Sequence, residues 1–285
     1  MCKKIAIYGK GGIGKSTIAS NISMSLLQMG FRVLQFGCDP KSDSTSTLRK
    51  GKHIPTVLDF LRDDPSGDVH NVIYERNNGL FCVEAGGPIP GVGCAGRGII
   101  TAIEQFNINN IFKELDLDYV IFDVLGDVVC GGFAMPIRNH VADLVYTISS
   151  ADFMSIYAAN NLMKGISRYS NSNGALFGGI IANSINLDYQ REMIFEYAQK
   201  CSTNVLNFIP RSVNITKAEL NHHTIVEEFP NSSESKIFQD LACSLVLQEN
   251  GIIPNPCSED ELYLFSREWS KKILEKTYYE QPSLL

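Results

Sequence analysis

The stretch KKIAIYGKGGIGKSTIASNISMSLLQMG (3–30) limits what this chain can fold into more than any other. An apolar run of strand length meets a glycine loop, and a helix-period segment follows. Gly9-Lys10-Gly11-Gly12-Ile13-Gly14-Lys15-Ser16-Thr17 fits G-x-x-x-x-G-K-[ST]. In such a loop successive backbone N–H groups face a polyphosphate, Lys15 reaches its β and γ oxygens, and the Ser16 hydroxyl suits Mg²⁺. The following helix adds the positive end of its dipole. Ile18, Ile22, Leu26 and Met29 fall on one stripe of that helix, and Gly30 is placed to end it. Lys10 puts a second cation near the phosphates.

The rest of the chain repeats the alternation. KKIAIYG, RVLQFGC, LFCVEA, DYVIFDV, DLVYTIS, LFGGIIAN and NVLNFIP read as strands, several of them continuously apolar, as in strands covered on both faces. FMSIYAANNLMKGISRYS and YQREMIFEYAQK read as helices. The expectation is an α/β fold: a doubly wound, mostly parallel sheet flanked by helices. No repeat, low-complexity tract or linker divides it, so residues 1–285 are expected to form one domain with a C-terminal extension from about Ile253. In that extension Leu262, Phe265, Trp269 and Ile273 lie near helical spacing.

Two acidic segments follow strands, GCDPKSDST (37–45) and FDVLGDVVCGG (122–132). Ligands of open α/β sheets sit beyond the carboxyl ends of strands. Asp39, Asp43, Asp123 and Asp127 are therefore expected around a Mg²⁺–phosphate site. Mg²⁺ takes one or two carboxylates directly, which leaves others to order an attacking water.

Eight cysteines remain to be placed. Cys94 (GVGCAGRG) and Cys130 (VVCGGFAMP) lie in glycine-rich loops past strands, where backbone can approach a ligand closely. A four-iron cluster wants four thiolates, and two per chain become four across a two-fold axis. From spacing alone, C-x₃₅-C equally fits two unrelated thiols. Cys2, Cys38, Cys82, Cys201, Cys243 and Cys257 read as structural or incidental, Cys38 and Cys82 most clearly. His222-His223 lacks a ligand cluster around it and reads as surface.

Composition narrows the partners. The net charge of −6 argues against nucleic acid, whose phosphates need clustered Lys and Arg. No apolar run reaches the roughly 18–20 residues of a membrane span. The start MCKKIAIYGKGG lacks the features of a signal peptide, so a cytoplasmic setting with reduced thiols is expected.

At these residues the chain resembles the nitrogenase iron protein family, the ATP-dependent reductase components of nitrogenase and its relatives. The blocks that carry the likeness are GKGGIGKST, GCDPKSDST, EAGGPIPGVGCAGRGIITAI, FDVLGDVVCGGFAMPIR, YAANNLMKGI, NFIPRSVNITKAEL and IPNP. The resemblance implies a P-loop NTPase of the deviant Walker A subclass, shared with partitioning ATPases, in which Lys10 reaches nucleotide on the facing subunit. It implies a homodimer with one [4Fe–4S] cluster held by Cys94 and Cys130 of both subunits, and MgATP or MgADP at each P-loop. Lys10, Lys15, Asp39 and Asp127 take the hydrolytic roles. Lys41 belongs to a first switch, Asp123–Cys130 forms a second, and Asn183 lies near the adenine. Arg97 matches an arginine that touches the partner and is ADP-ribosylated in some members. The implied activity is one-electron reduction of a larger iron–sulfur acceptor protein, with reduced ferredoxin or flavodoxin as electron source.

Three departures bear on the acceptor. DPKSDSTSTL stands where the family typically reads DPKADSTRL, and IPTVLDFLRDD with VIYE resembles the protochlorophyllide reductase branch, although Arg97 is kept. Glu234 stands where many members carry a glutamine close to the nucleotide. The alternative readings are a reductase serving a tetrapyrrole- or organosulfur-reducing system, and a non-redox partitioning-type ATPase.

Overall fold

Alternate residues of the first strand, β1 (Lys3–Gly9), enter two different cores. Ile5 and Ile7 face one, Ala6 and Tyr8 the other, and all four are buried. A strand covered on both sides has to lie inside a sheet with helices above and below. The computed structural model describes residues 2–76, 79–87, 95–126, 134–138, 141–170 and 174–280, and has that form. After β1 come α1 (Lys15–Gln28), β2 (Val33–Gly37), α2 (Val57–Asp63), β3 (Tyr74–Arg76), β4 (Leu80–Glu84), α3 (Ala95–Ile108), α4 (Ile111–Glu114) and β5 (Tyr119–Leu125). Then follow β6 (Leu144–Ser149), α5 (Phe153–Ser170), β7 (Leu176–Asn183), α6 (Asp188–Lys200), β8 (Val205–Ile209), α7 (Val213–Leu220), α8 (Ile225–Glu228), α9 (Ser233–Leu247) and α10 (Glu259–Glu280).

The strand order is β3-β4-β2-β5-β1-β6-β7-β8. Every pairing is parallel apart from that of β3 with β4. The doubly wound, mostly parallel sheet is as the sequence predicts, and each predicted strand is in it. The edge strand β3 is an addition: Tyr74-Glu75-Arg76 has no apolar run to signal it. β1 lies between β5 and β6, where the winding changes direction, so the loop after β1 opens into the crevice that suits a ligand.

One face is covered by α1, α7, α8 and α9, the other by α3, α5, α6 and α10. Ile18, Ile22 and Leu26 of α1 are buried as their spacing requires. Met29, expected on the same stripe, is 42% exposed, because the helix stops at Gln28 and Met29 only caps it. Cys2, Cys38, Cys82, Cys201, Cys243 and Cys257 are all free thiols, with Cys38 and Cys82 buried. Among the described residues no helix is long and apolar enough to cross a membrane.

The C-terminal extension packs on its own subunit. Leu262, Phe265 and Trp269 of α10 are buried in the core that also holds Met163 of α5 and Tyr197 of α6. The link before α10 is fastened too: Asn160 Nδ2 donates to the Cys257 carbonyl at 2.8 Å, and Asn160 Oδ1 accepts from the Cys257 amide at 2.9 Å. Truncating a buried aromatic ring removes its transfer free energy and leaves a cavity. Trp269→Ala should therefore lower the unfolding free energy by about 3–5 kcal/mol, read by denaturant titration at fixed protein concentration. An unchanged midpoint and slope would show that α10 does not belong to this core.

Candidate functional site

The loop between β1 and α1 is shaped by one backbone conformation. Gly14, the N-cap of α1, has φ 92° and ψ 24°, a left-handed geometry that L side chains rarely adopt. A Cβ there would also stand 2.7 Å from Asn183 Nδ2. Asn183, at the end of β7, donates through Nδ2 to the Ile13 carbonyl at 2.7 Å and so braces the loop. No side chain caps α1, which leaves the helix's first N–H groups to a ligand. In front of them lies a cavity of about 640 Å³. Gly11 through Thr17 line it, with Asp39, Lys41 and Asp43 on one side and Asn183, Arg211, Ser212 and Glu219 on another.

Behind Ser16 stands a buried carboxylate. Ser16 Oγ and Ser44 Oγ each donate to Asp123 Oδ2 at 2.6 Å. Asp123 Oδ1 is buried without a hydrogen-bond partner among the described residues. Burial pushes the Asp123 carboxyl above its usual range, opposed by the two hydroxyls and by Lys15. An orphaned carboxylate oxygen beside a serine hydroxyl and a lysine is a donor set for a hard cation with phosphate. These residues fit a Mg²⁺ nucleotide. The Gly126 amide, the first beyond β5, donates to the Gly9 carbonyl at 3.1 Å and ties the end of β5 to the loop.

A second buried carboxylate lies two strands away. Glu84, Gly37 and Asp123 stand in register across β4, β2 and β5. A Cβ on Gly37 would be 2.0 Å from Glu84 Oε2 and 2.7 Å from Ser44 Cβ, so glycine is required for Glu84 and Ser44 to share the space. Glu84 Oε1 accepts from the Thr45 amide at 2.7 Å and from Thr45 Oγ1 at 2.6 Å. Arg49 Nη2 lies 3.6 Å from the same oxygen, with both side chains buried. Burial pushes the Glu84 carboxyl up to about 7, against the pull of Thr45 and Arg49.

The structure thus brings Gly11 to Thr17, Asp39, Lys41, Asp43 and Asn183 to the wall of one cavity. Gly9, Lys10 and Asp123 do not line the cavity; Asp123 acts on it through Ser16. Asp127, Cys94 and Cys130 lie outside the described residues. In the sequence, α3 begins at Ala95, directly after Cys94, and β5 ends at Leu125, before Cys130. Two thiols per chain are the donor set for half a four-iron cluster. Arg97 is exposed in the first turn of α3.

Sequence reasoning missed the far wall, Pro210, Arg211, Ser212, Thr216 and Glu219. Glu219 Oε1 accepts from Thr17 Oγ1 across the cavity. The signal was present, since Pro210-Arg211-Ser212 follow a strand at the same carboxyl edge as the phosphate loop. Glu234 reaches this wall through Ser212, whose hydroxyl donates to it and holds its carboxyl below the usual range. Glu84, Thr45 and Arg49 were missed as well; buried polar partners leave no periodicity to read.

Comparison with known proteins agrees with this geometry. A family profile described as "4Fe-4S iron sulfur cluster binding proteins, NifH/frxC family" matches residues 3–271. Nitrogenase iron protein 2 of Paenibacillus durus is 55% identical over 273 residues, covering 96% of this chain and 94% of that protein. Nitrogenase iron protein 3 of Clostridium pasteurianum is 45% identical over 265 residues, covering 92% of this chain and 96% of that one. The MinD cell division protein of Aquifex aeolicus superposes with a TM-score of 0.67 at 19% identity, covering 88% of this chain and all of that one, which shows a shared fold. The extent of the match over residues 3–271, with the phosphate loop and the cysteine-bearing segments inside it, makes this chain a member of the NifH/frxC family of 4Fe–4S cluster-binding proteins.

Proposed function

We propose that residues 1–285 form one working unit, with the extension from about Ile253 as part of it, and that two copies act as the ATP-dependent one-electron reductase of a nitrogenase system. The observation that carries this reading is the short hydrogen-bonded path from the nucleotide cavity to β5. Ser16 holds Asp123, and Gly126 holds Gly9, so whatever occupies the phosphate loop bears on the chain that runs to Cys130.

Each residue then has a physical task. The loop amides and Lys15 bind the phosphates, and Ser16, oriented by Asp123, offers its hydroxyl to Mg²⁺. Asp39 and Asp127 order the attacking water, while Lys41 and Asp43 sense the γ-phosphate from the cavity wall. Asn183 holds the loop's shape and borders the base. Lys10, off the wall of its own cavity, reaches across to nucleotide on the facing subunit. Cys94 and Cys130 of both protomers would hold the [4Fe–4S] cluster, which would supply one-electron redox chemistry when bound. Exposed Arg97, three residues past Cys94, meets the larger iron–sulfur acceptor. Reduced ferredoxin or flavodoxin reloads the electron, and the work is done in the cytoplasm.

Coupling follows from linkage. MgATP and MgADP can alter the redox behaviour of the site only if the dimer states they favour bind the cluster differently. A change of 59 mV for one electron corresponds to about 1.4 kcal/mol, the scale of a few re-aimed N–H groups.

Two outcomes are expected. Cys94→Ser or Cys130→Ser should give colourless, iron-free protein that still binds MgATP, measured by iron analysis and nucleotide titration; full cluster occupancy in either variant would reject the ligand assignment. Lys15→Gln should keep the cluster and lose MgATP-dependent electron transfer to the acceptor. Undiminished turnover of that variant would remove the phosphate loop from the mechanism.

A further inference from the structure

The strands that lead toward both proposed cluster cysteines carry buried carboxylates near their ends. Asp123 on β5 precedes Cys130, and Glu84 on β4 precedes Cys94. They grip neighbouring residues of one segment: Asp123 takes the Ser44 hydroxyl, and Glu84 takes the amide and hydroxyl of Thr45. From β2, between them, Gln35 Nε2 donates to the Ser44 carbonyl at 3.0 Å. Arg49 closes the clip, donating from Nε to Thr45 Oγ1 and from Nη2 to the Ser42 carbonyl, each at 2.9 Å. The same segment begins on the cavity wall with Asp39, Lys41 and Asp43.

Beyond Glu84 the chain keeps its ladder bond to the end of β2 and touches this segment at Pro40. The Ala85 amide donates to the Gly37 carbonyl at 2.8 Å, and a Cβ on Gly87 would stand 2.8 Å from Pro40 Cβ. We infer that Glu84 is a positioning residue for the coupled reaction. Through Thr45 it ties the nucleotide-lining segment to β4, and so opens a second route from nucleotide toward Cys94, beside the β5 route toward Cys130. This rests on the reading that Cys94 and Cys130 hold the cluster.

The physical reason is the cost of parting the two. If residues 39–49 shift with nucleotide while β4 stays, a buried carboxylate loses both Thr45 donors with no water to replace them. Moving together avoids that cost. Its other oxygen, Oε2, is buried with no hydrogen-bond partner among the described residues, so the grip on Thr45 and Arg49 is made through Oε1 alone.

The test compares the iron-loaded dimers of wild type, Glu84→Ala, Glu84→Gln and Thr45→Val, each with and without MgATP. Hydrogen exchange is followed at residues 42–49 and 85–87, and the cluster's midpoint potential is measured alongside. In wild type, MgATP should change exchange in both segments. In Glu84→Ala the change at 42–49 should persist, that at 85–87 should shrink, and the MgATP-induced potential shift should fall; Thr45→Val, which keeps the amide donor and loses only the hydroxyl, should show a smaller loss in the same direction. Glu84→Gln keeps an acceptor oxygen for Thr45 and should behave as wild type. Thr45→Val serves if Glu84→Ala does not fold. A wild-type response at 85–87 in the alanine and valine variants would overturn the proposal. The exchange comparison also reads out on iron-free protein, so failure of the cluster assignment and failure of the Glu84 route give different results.

Discussion

The structure turns on a carboxylate that cannot reach water. Asp123 lies near the carboxyl end of β5, next to β1, with one oxygen held by Ser16 and Ser44 and the other without a partner among the described residues. A buried, half-satisfied carboxylate is costly in the free chain and suited to a site that receives a hard cation. Its two hydroxyl donors come from the phosphate loop helix and from the segment that lines the nucleotide cavity. One side chain therefore registers the state of both.

Everything needed to place that carboxylate is a property of the sheet. A parallel strand buried on both faces sends alternate residues into opposite cores, and at its carboxyl end the α1-facing register position becomes available for a polar group. Glu84, Gly37 and Asp123 occupy that position on three adjacent strands, with the glycine making room for Ser44 between two acids. The MinD-like fold supplies the frame.

The fold was legible from the chain because its signals are local. Continuous apolar runs gave the parallel strands, and the glycine loop after IAIY located the ligand edge. β3 was not legible, since its pairing depends on β4 and not on its own residues. Met29 went astray because periodicity says nothing about where a helix stops. In the site, Lys15, Ser16 and Asp123 could be read from motif and position. Glu219 and Glu84 could not, since each acts through a partner far away in sequence, Thr17 for one and Thr45 for the other. Asn183 needed the family resemblance, and its hydrogen bond to Ile13 supplies the structural reason.

The central claim is that two copies of this chain share one inorganic centre. Native mass spectrometry of oxygen-free protein tests it most directly, because chains, iron and sulfide are weighed in the same particle. The expected particle has two chains carrying about four iron and four sulfide, and it loses its cluster when it separates into single chains. A single chain carrying a full cluster, or a dimer that takes up none when supplied with iron, sulfide and thiol, would contradict it.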